Sequence, residues 1–140
     1  MNKILIVFGT RPEAIKLAPL INELKKSKKN FIKVCSTGQH NEMLKQVIDL
    51  FNIKIDISLH LMKRNQKVSD LFESLVKKIN LVIIKEKPKL IIVQGDTTTA
   101  LAAAMASFFN KVKIAHVEAG LRTYNLDAPW PEEANRKLIS

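Results

Sequence analysis

The chain has 140 residues, of which 46% are hydrophobic and 26% are charged, a balance typical of one folded domain and not of a disordered segment. Its single cysteine, Cys35, excludes an intramolecular disulfide and a zinc site built on paired thiolates. No apolar stretch approaches the roughly 18 residues of a membrane span, and the N-terminus lacks a signal-peptide pattern. We therefore expect a cytoplasmic protein that has no membrane partner.

The net charge is +10, from 23 Lys and Arg against 13 Asp and Glu, which raises the question of an anionic partner. Many lysines gather where helices are predicted to end: Lys25, Lys26, Lys28 and Lys29 after the first helix, and Lys85, Lys87 and Lys89 around the third. Cations there complement the negative end of the helix dipole. Aromatic residues, at 6%, do not interleave with the basic ones as base stacking requires. We expect no nucleic-acid partner.

Apolar runs alternate with amphipathic stretches along the whole chain, without an internal repeat or a linker. The predicted strands cover 4–8, 31–36, 53–61 (the weakest), 90–93 and 112–117, and the predicted helices cover 10–24, 43–51, 69–85, 97–109 and 131–140. This alternation is typical of an α/β fold, doubly wound and Rossmann-like with a mostly parallel sheet. We expect one domain, 1–140, whose last helix is cut short, since it reaches Ser140 without a cap.

In an open parallel sheet, ligands bind at the carboxyl ends of the strands. Four predicted turns lie there: Gly9-Thr10-Arg11, Thr37-Gly38-Gln39-His40, Gly95-Asp96, and residues 116–120. Each alone is a weak signal, because Asp96 could be a helix N-cap and His116 a histidine with a purely structural hydrogen bond. We predict that the first and fourth strands are adjacent, with Arg11, Asp96 and Glu118 at one edge.

The first of these turns is not a dinucleotide fingerprint, because it lacks the G-x-G-x-x-G glycines. No P-loop occurs, and the three histidines lack metal-ligand spacing, so we expect neither NAD nor a metal, and no cofactor. Two cations are of interest. Arg11 lies at a predicted helix N-terminus, where the dipole favours an anion, and Lys16 lies about a turn and a half further on. A solvated surface lysine is the alternative for Lys16.

Four segments closely resemble the non-hydrolysing bacterial UDP-N-acetylglucosamine 2-epimerases. They are FGTRPEAIKLAP at 8–19, GDTTT at 95–99, HVEAGLRT at 116–123 and PWPEEANR at 129–136. Members of that family are much longer, with two Rossmann-like domains of the GT-B type that clasp the substrate. The resemblance implies that this chain is the N-terminal domain, without its C-terminal domain, and that the full-length protein is a homodimer.

The family converts UDP-GlcNAc to UDP-ManNAc by eliminating UDP and adding it back. By resemblance, Asp96, Glu118 and Glu132 are the catalytic carboxylates, although the sequence does not assign the base. Arg11 and Lys16, with Asp96 and Glu118, would bind the nucleotide sugar. Glu132 also has a structural interpretation, because the first turn of a helix favours a carboxylate and Arg136 lies four residues later as an ion-pair partner.

Family members also bind a second UDP-GlcNAc as an allosteric activator, and the matching residues here are Gln39, His40 and Gln66. Some members have an arginine before that glutamine, where this sequence has Asn65. Because half of the cleft is absent, we expect the chain alone to be inactive. Two alternatives stay open: a fragment of a hydrolysing epimerase that releases ManNAc and UDP, and a non-catalytic nucleotide-sugar-binding module.

Overall fold

A computed structural model of the chain describes residues 1–38 and 41–140. In these residues, one parallel sheet has the strand order β3-β2-β1-β4-β5. Its strands are β1 (Asn2–Phe8), β2 (Asn30–Ser36), β3 (Ile57–Ser58), β4 (Leu90–Gln94) and β5 (Lys113–Val117). The helices are α1 (Arg11–Lys26), α2 (Glu42–Leu50), α3 (Val68–Glu86), α4 (Thr98–Phe109) and α5 (Glu132–Ile139). The predicted doubly wound α/β fold is confirmed.

The strand order reverses between β1 and β4, which are neighbours as predicted. Residues alternate across β1, so that Ile4, Ile6 and Phe8 face one core and Leu5 and Val7 face the other. Helices α1 and α2 pack on the first of these faces, and α3 and α4 on the second. Burial on both faces explains why the strand reads as a continuous apolar run.

The third strand is far shorter than the predicted 53–61. The segment runs along the edge of β2, where the N–H groups of Asp56 and Leu59 donate to the carbonyls of Val34 and Ser36, both at 2.9 Å. The Asp56 carboxylate accepts the Val34 N–H at 2.9 Å in place of a main-chain carbonyl. This side-chain bond interrupts the regular ladder before Ile57, and only Ile57–Ser58 pairs as a strand.

Across the described residues, 1–38 and 41–140, none of the helices combines the length and the apolarity that crossing a bilayer requires.

Candidate functional site

Three strands end side by side at the same edge of the sheet, because β1, β4 and β5 are parallel neighbours. The turn or helix start that follows each of them carries one of the predicted residues: Arg11 after β1, Asp96 after β4 and Glu118 after β5. This placement matches the prediction that the three residues share one edge.

Glu118 is the centre of a charged cluster at this edge. Its Oε2 atom lies 2.5 Å from Lys16 Nζ and also accepts a hydrogen bond from Gln94 Nε2. The hydrogen bond from Lys16 lowers the pKa of Glu118, against the opposing effect of burial, and Gln94 and the charge of Arg136 lower it further. Glu118 is therefore an ionised carboxylate at neutral pH, and Lys16, although its side chain is 49% exposed, is its ion-pair partner.

The backbone of Glu118 has φ +58°, in the left-handed region that residues other than glycine rarely adopt. Strained conformations of this kind persist only where the surrounding structure holds them, and they cluster at functional sites. Here the Glu118 carbonyl accepts a hydrogen bond from Arg136 Nη1.

Asp96 is held by two residues of α5. Its Oδ2 atom accepts from Arg136 Nη2 at 2.7 Å, and its carbonyl accepts from Asn135 Nδ2 at 2.9 Å. The N-cap of α4 is Thr97, whose Oγ1 accepts the Ala100 N–H at 3.0 Å, so the N-cap interpretation of Asp96 is wrong. The Asp96 side chain is 30% exposed and is within reach of a ligand.

Glu132 lies in the first turn of α5, as predicted, but Arg136 is not its partner. The Arg136 guanidinium turns instead towards Asp96 and Glu118, where two acceptors are available to it. Within the part of the chain that the structure describes, the Oε2 atom of Glu132 is buried without a hydrogen-bond partner. A buried carboxylate oxygen of this kind is costly to leave unpaired.

Glu133, which the sequence did not single out, has a structural role next to this site. Its carboxylate accepts from Arg122 Nε at 2.8 Å and from the N–H groups of Thr123 and Tyr124 at 3.1 and 3.0 Å. These bonds, the one from Thr123 first, lower its pKa. Glu133 thereby fixes the loop that follows β5. The sequence shows that Glu132 and Glu133 are adjacent, but it does not show that they have different roles.

The spacing of Thr10 and Glu13 predicts a capping box at the start of α1, and the structure gives Glu13 a further role. It is 1% exposed and accepts from the N–H groups of Gly9 and Thr10 at 2.9 and 2.7 Å, and from Thr97 Oγ1 at 2.7 Å. The last bond ties the turn after β1 to the turn after β4. Burial raises the pKa of Glu13 despite these hydrogen bonds. Because Glu13 already uses these N–H groups, the helix terminus offers an anion fewer donors than expected.

Arg11 is exposed and lines a cavity of about 280 Å³. Two further cations line the same cavity, Lys63 and Arg64, together with Gly9, Thr10, Asn41, Leu44 and Met62. The two predicted binding cations therefore belong to different clusters, since Lys16 pairs with Glu118. Three positive side chains around one cavity favour an anionic ligand there.

The two glycines beside this cavity, Gly9 and Gly38, let the turns after β1 and β2 touch. A Cβ on Gly38 would lie 2.0 Å from the carbonyl oxygen of Gly9. A Cβ on Gly9 would lie 2.7 Å from the hydroxyls of Thr37 and Thr99, which are themselves 3.0 Å apart. No other residue type fits this contact.

The predicted allosteric residues are only partly described. Gln39 and His40 lie outside the described residues. Gln66 accepts the Lys63 N–H at 3.1 Å and donates to the Leu61 carbonyl at 3.2 Å, so its amide holds the short turn that carries Lys63 and Arg64. Its role towards a ligand stays a prediction.

His116 contacts the carbonyl of Gly95 through Nε2 at 2.6 Å, which agrees with the structural interpretation of this histidine. Among the described residues, no three His, Cys, Asp or Glu side chains are grouped so as to hold a metal ion.

The fold and this edge define a Rossmann-like α/β protein with a cluster of carboxylates and cations at the point where the strand order reverses. A family model described as UDP-N-acetylglucosamine 2-epimerase matches residues 22–140, and the chain belongs to that family.

Two relatives and two solved structures illustrate this membership. The chain is 53% identical over 138 residues to a UDP-N-acetylglucosamine 2-epimerase of Neisseria meningitidis, covering 99% of this chain and 37% of the relative. It is 51% identical to that of Campylobacter jejuni, covering 99% of this chain and 36% of the relative. The crystal structure of the Neisseria enzyme bound to UDP-GlcNAc matches with a TM-score of 0.94 at 52% identity, over 98% of this chain and 37% of that one.

The enzyme of Methanocaldococcus jannaschii, in complex with UDP-GlcNAc and UDP, matches with a TM-score of 0.90 at 36% identity, over 98% of this chain and 37% of that one. The chain thus spans little more than a third of the length of these relatives.

Proposed function

We propose that this chain supplies the N-terminal domain, residues 1–140, of an enzyme that interconverts UDP-GlcNAc and UDP-ManNAc. The observation that carries this proposal is the cluster of Asp96, Glu118 and Lys16 at the carboxyl edge of the sheet, in a member of the UDP-N-acetylglucosamine 2-epimerase family. In the full-length protein, the rest of the cleft would come from the segment that the relatives carry beyond the matched part.

The chemistry at C2 must be indirect, because the C2 proton lies beside no carbonyl within the ring and is not acidic. A base removes this proton while the C1–O bond to UDP breaks and a C1=C2 double bond forms, giving 2-acetamidoglucal and UDP. UDP then adds back to C1, and a proton is delivered to the other face of C2. Such a route needs acid/base groups at the sugar and cations for the departing diphosphate.

The residues at this edge supply both requirements. Glu118 is ionised at neutral pH, so it can accept a proton but has none to donate. Asp96 and Glu132 are the other two candidate acid/base groups, and Arg11, beside Lys63 and Arg64, is the candidate for the diphosphate. Lys16, held against Glu118, is the second candidate cation for binding the nucleotide sugar.

The same resemblance supports further proposals about the full-length protein: a cytoplasmic homodimer, active in cell-surface polysaccharide biosynthesis without a cofactor, with a second UDP-GlcNAc bound at Gln39, His40 and Gln66. Asn65, whose backbone has φ +54°, stands where some members have an arginine. Binding of the second UDP-GlcNAc should therefore be weaker than in those members.

The test is to incubate the full-length protein with UDP-GlcNAc in deuterated water and to follow C2 by proton NMR. We expect UDP-ManNAc with deuterium at C2. The 140-residue chain alone should show negligible exchange, because positioning within a closed cleft can account for about 7 to 11 kcal/mol of a barrier.

Other outcomes decide between the alternatives. Release of free ManNAc and UDP would identify a hydrolysing epimerase. Binding of UDP-GlcNAc without turnover would identify a non-catalytic module. Exchange by the chain alone, at a rate near that of the full-length protein, would mean that the matched part is sufficient and that the rest of the cleft has been assigned wrongly.

A further inference from the structure

The Arg136 side chain is buried between two turns that carry candidate carboxylates. It is 3% exposed, its Nη2 atom donates to Asp96 Oδ2 at 2.7 Å, and its Nη1 atom donates to the Glu118 carbonyl. The first acceptor belongs to the turn after β4 and the second to the turn after β5. A buried guanidinium requires partners for its donors, and these two turns provide them.

We propose that Arg136 is a positioning residue that fixes Asp96 and Glu118 relative to each other, a role that rests on the function proposed above. The guanidinium is planar and rigid, with its donors in a fixed fork. Two acceptors bound to different nitrogens of that fork are held at a defined separation and angle. A lysine, whose ammonium is a single point on a flexible stem, cannot impose the same geometry.

The same contact restrains the backbone of Glu118. Its φ of +58° lies in the disfavoured left-handed region, and the Arg136 bond is made to the carbonyl of the same residue. The Glu118 carboxylate points to Lys16 and Gln94. Removing Arg136 takes away one restraint on this backbone, and we expect the carboxylate to be held less exactly against its two partners.

Helix α5 thereby links all three candidate carboxylates. It carries Glu132 in its first turn, holds the Asp96 carbonyl through Asn135 at 2.9 Å, and holds Asp96 and Glu118 through Arg136. Because Arg136 is only 3% exposed, we expect it to act through the residues it contacts and not by direct contact with the sugar.

The test measures kcat, KM and their pH dependence for C2 epimerisation by the full-length protein. The variants are Arg136→Met, Arg136→Lys and the control Lys137→Met, an exposed cation on the same helix. Arg136→Met should lower kcat about 100-fold, as expected for displaced catalytic groups. KM should change by less than about threefold, because no contact with bound substrate is lost. Lys137→Met should match the wild type.

The pH profile separates geometry from charge. The charged groups that face Glu118 are Lys16 from α1 and Arg136 from α5, with the neutral Gln94 from β4, and the charge of Arg136 helps to lower the pKa of Glu118. Arg136→Met should therefore move the acid limb of kcat to higher pH. Arg136→Lys keeps the charge but not the fork, so it should lower kcat while leaving the acid limb close to that of the wild type.

Carboxyl carbon NMR of Glu118 in the 140-residue chain, with far-UV circular dichroism to confirm folding, provides a readout independent of turnover. Arg136→Met should raise the pH at which Glu118 titrates. The inference is overturned if folded Arg136→Met keeps wild-type kcat and acid limb, or if Arg136→Lys keeps wild-type kcat. If Arg136→Met does not fold, a wild-type kcat in Arg136→Lys overturns it. If the wild type forms no UDP-ManNAc, the proposed function fails, and an unchanged titration of Glu118 in Arg136→Met then overturns the inference as well.

Discussion

The two edges of the sheet both carry a carboxylate held by lysine, and only one of them has the features of a site. At the amino edge, Glu86 lies 3.3 Å from Lys3 Nζ and 3.1 Å from Lys33 Nζ and is 8% exposed. Burial raises its pKa, but the hydrogen bonds from Lys33 and Lys3 outweigh that effect and lower it. Glu86 is thus a buried carboxylate that is paired with two lysines.

The carboxyl edge differs in three respects. Glu118 is 34% exposed, Glu132 has a buried oxygen without a partner in the described residues, and several turns converge within hydrogen-bonding distance of one another. Both edges therefore have a carboxylate in an ion pair with a lowered pKa, and these two features alone do not identify a functional site. The exposure of Glu118, the unpaired oxygen of Glu132 and the convergence of the turns distinguish the carboxyl edge.

The largest expected effect is the loss of kcat when the Glu118 carboxylate is replaced by an amide, compared with the same replacement at Glu86. Glu118→Gln should lower kcat of the full-length protein by about 10²- to 10⁴-fold, the usual contribution of an acid/base group. Glu86→Gln, the matched control, should leave kcat unchanged and lower the free energy of unfolding by about 1 to 3 kcal/mol, since it disrupts a buried polar contact. Steady-state kinetics and urea unfolding measure the two effects, and equal losses of kcat would remove the distinction between the edges.

A second prediction concerns the glycines at the carboxyl edge. Gly38→Ala should lower the free energy of unfolding by about 1 to 3 kcal/mol, the usual cost of overpacking, because the new Cβ would meet the Gly9 carbonyl at 2.0 Å. Gly120→Ala is the control, since nothing lies within 4 Å of its Cβ position. Thermal unfolding that gives the same midpoint for both variants would refute the proposed close contact.

A third prediction compares cations at the two edges. Arg11→Glu should weaken the binding of UDP-GlcNAc to the full-length protein by about tenfold or more, because it reverses a charge beside the cavity. Lys28→Glu, in the turn between α1 and β2 at the amino edge, should change binding by less than about twofold, because exposed charges beyond a Debye length are screened. Isothermal titration calorimetry measures both, and equal effects would indicate attraction by bulk positive charge.

The smallest expected effect is a pH dependence of stability due to Glu13. Because its folded-state pKa is raised, Glu13 stabilises the fold below its unfolded pKa of about 4.3, and this contribution is lost as the pH rises through the folded value. Glu13→Gln lacks that loss, so it should be less destabilising at pH 8 than at pH 5 in urea unfolding. If the loss of unfolding free energy caused by Glu13→Gln is larger at pH 8 than at pH 5, the hydrogen bonds from Gly9, Thr10 and Thr97 outweigh the effect of burial on the pKa of Glu13.

Much of the fold could be predicted because the sequence features that indicate each strand and helix lie within that strand or helix. Continuous apolar runs marked β1 and β4 as buried on both faces, and the capping residues Thr10 and Glu13 with Pro12 marked the start of α1. The third strand was overpredicted, since the alternation over 53–61 does not reveal that the Asp56 side chain replaces a main-chain acceptor.

The order of the strands and turns predicted which residues lie at the site, but it did not predict the partners of their side chains. The ends of parallel strands placed Asp96 and Glu118 at one edge, but helix spacing gave Arg136 the wrong partner. Spacing predicts a pair with Glu132 four residues away, whereas the fold brings Asp96 to Arg136 from 40 residues away. Gln94 and the bond from Thr97 to Glu13 were missed for the same reason, since in each case the two residues come from distant parts of the sequence.

The most direct test of the central claim, that the nucleotide sugar binds at the carboxyl edge, is an amide chemical-shift titration of the ¹⁵N-labelled chain with UDP-GlcNAc. We expect saturable shifts at Gly9, Thr10, Asp96 and Glu118. The amides of Lys89, Lys111 and Lys113 at the amino edge should not move. Saturable shifts confined to the amino edge, or spread evenly over the lysine-rich surface, would contradict the account.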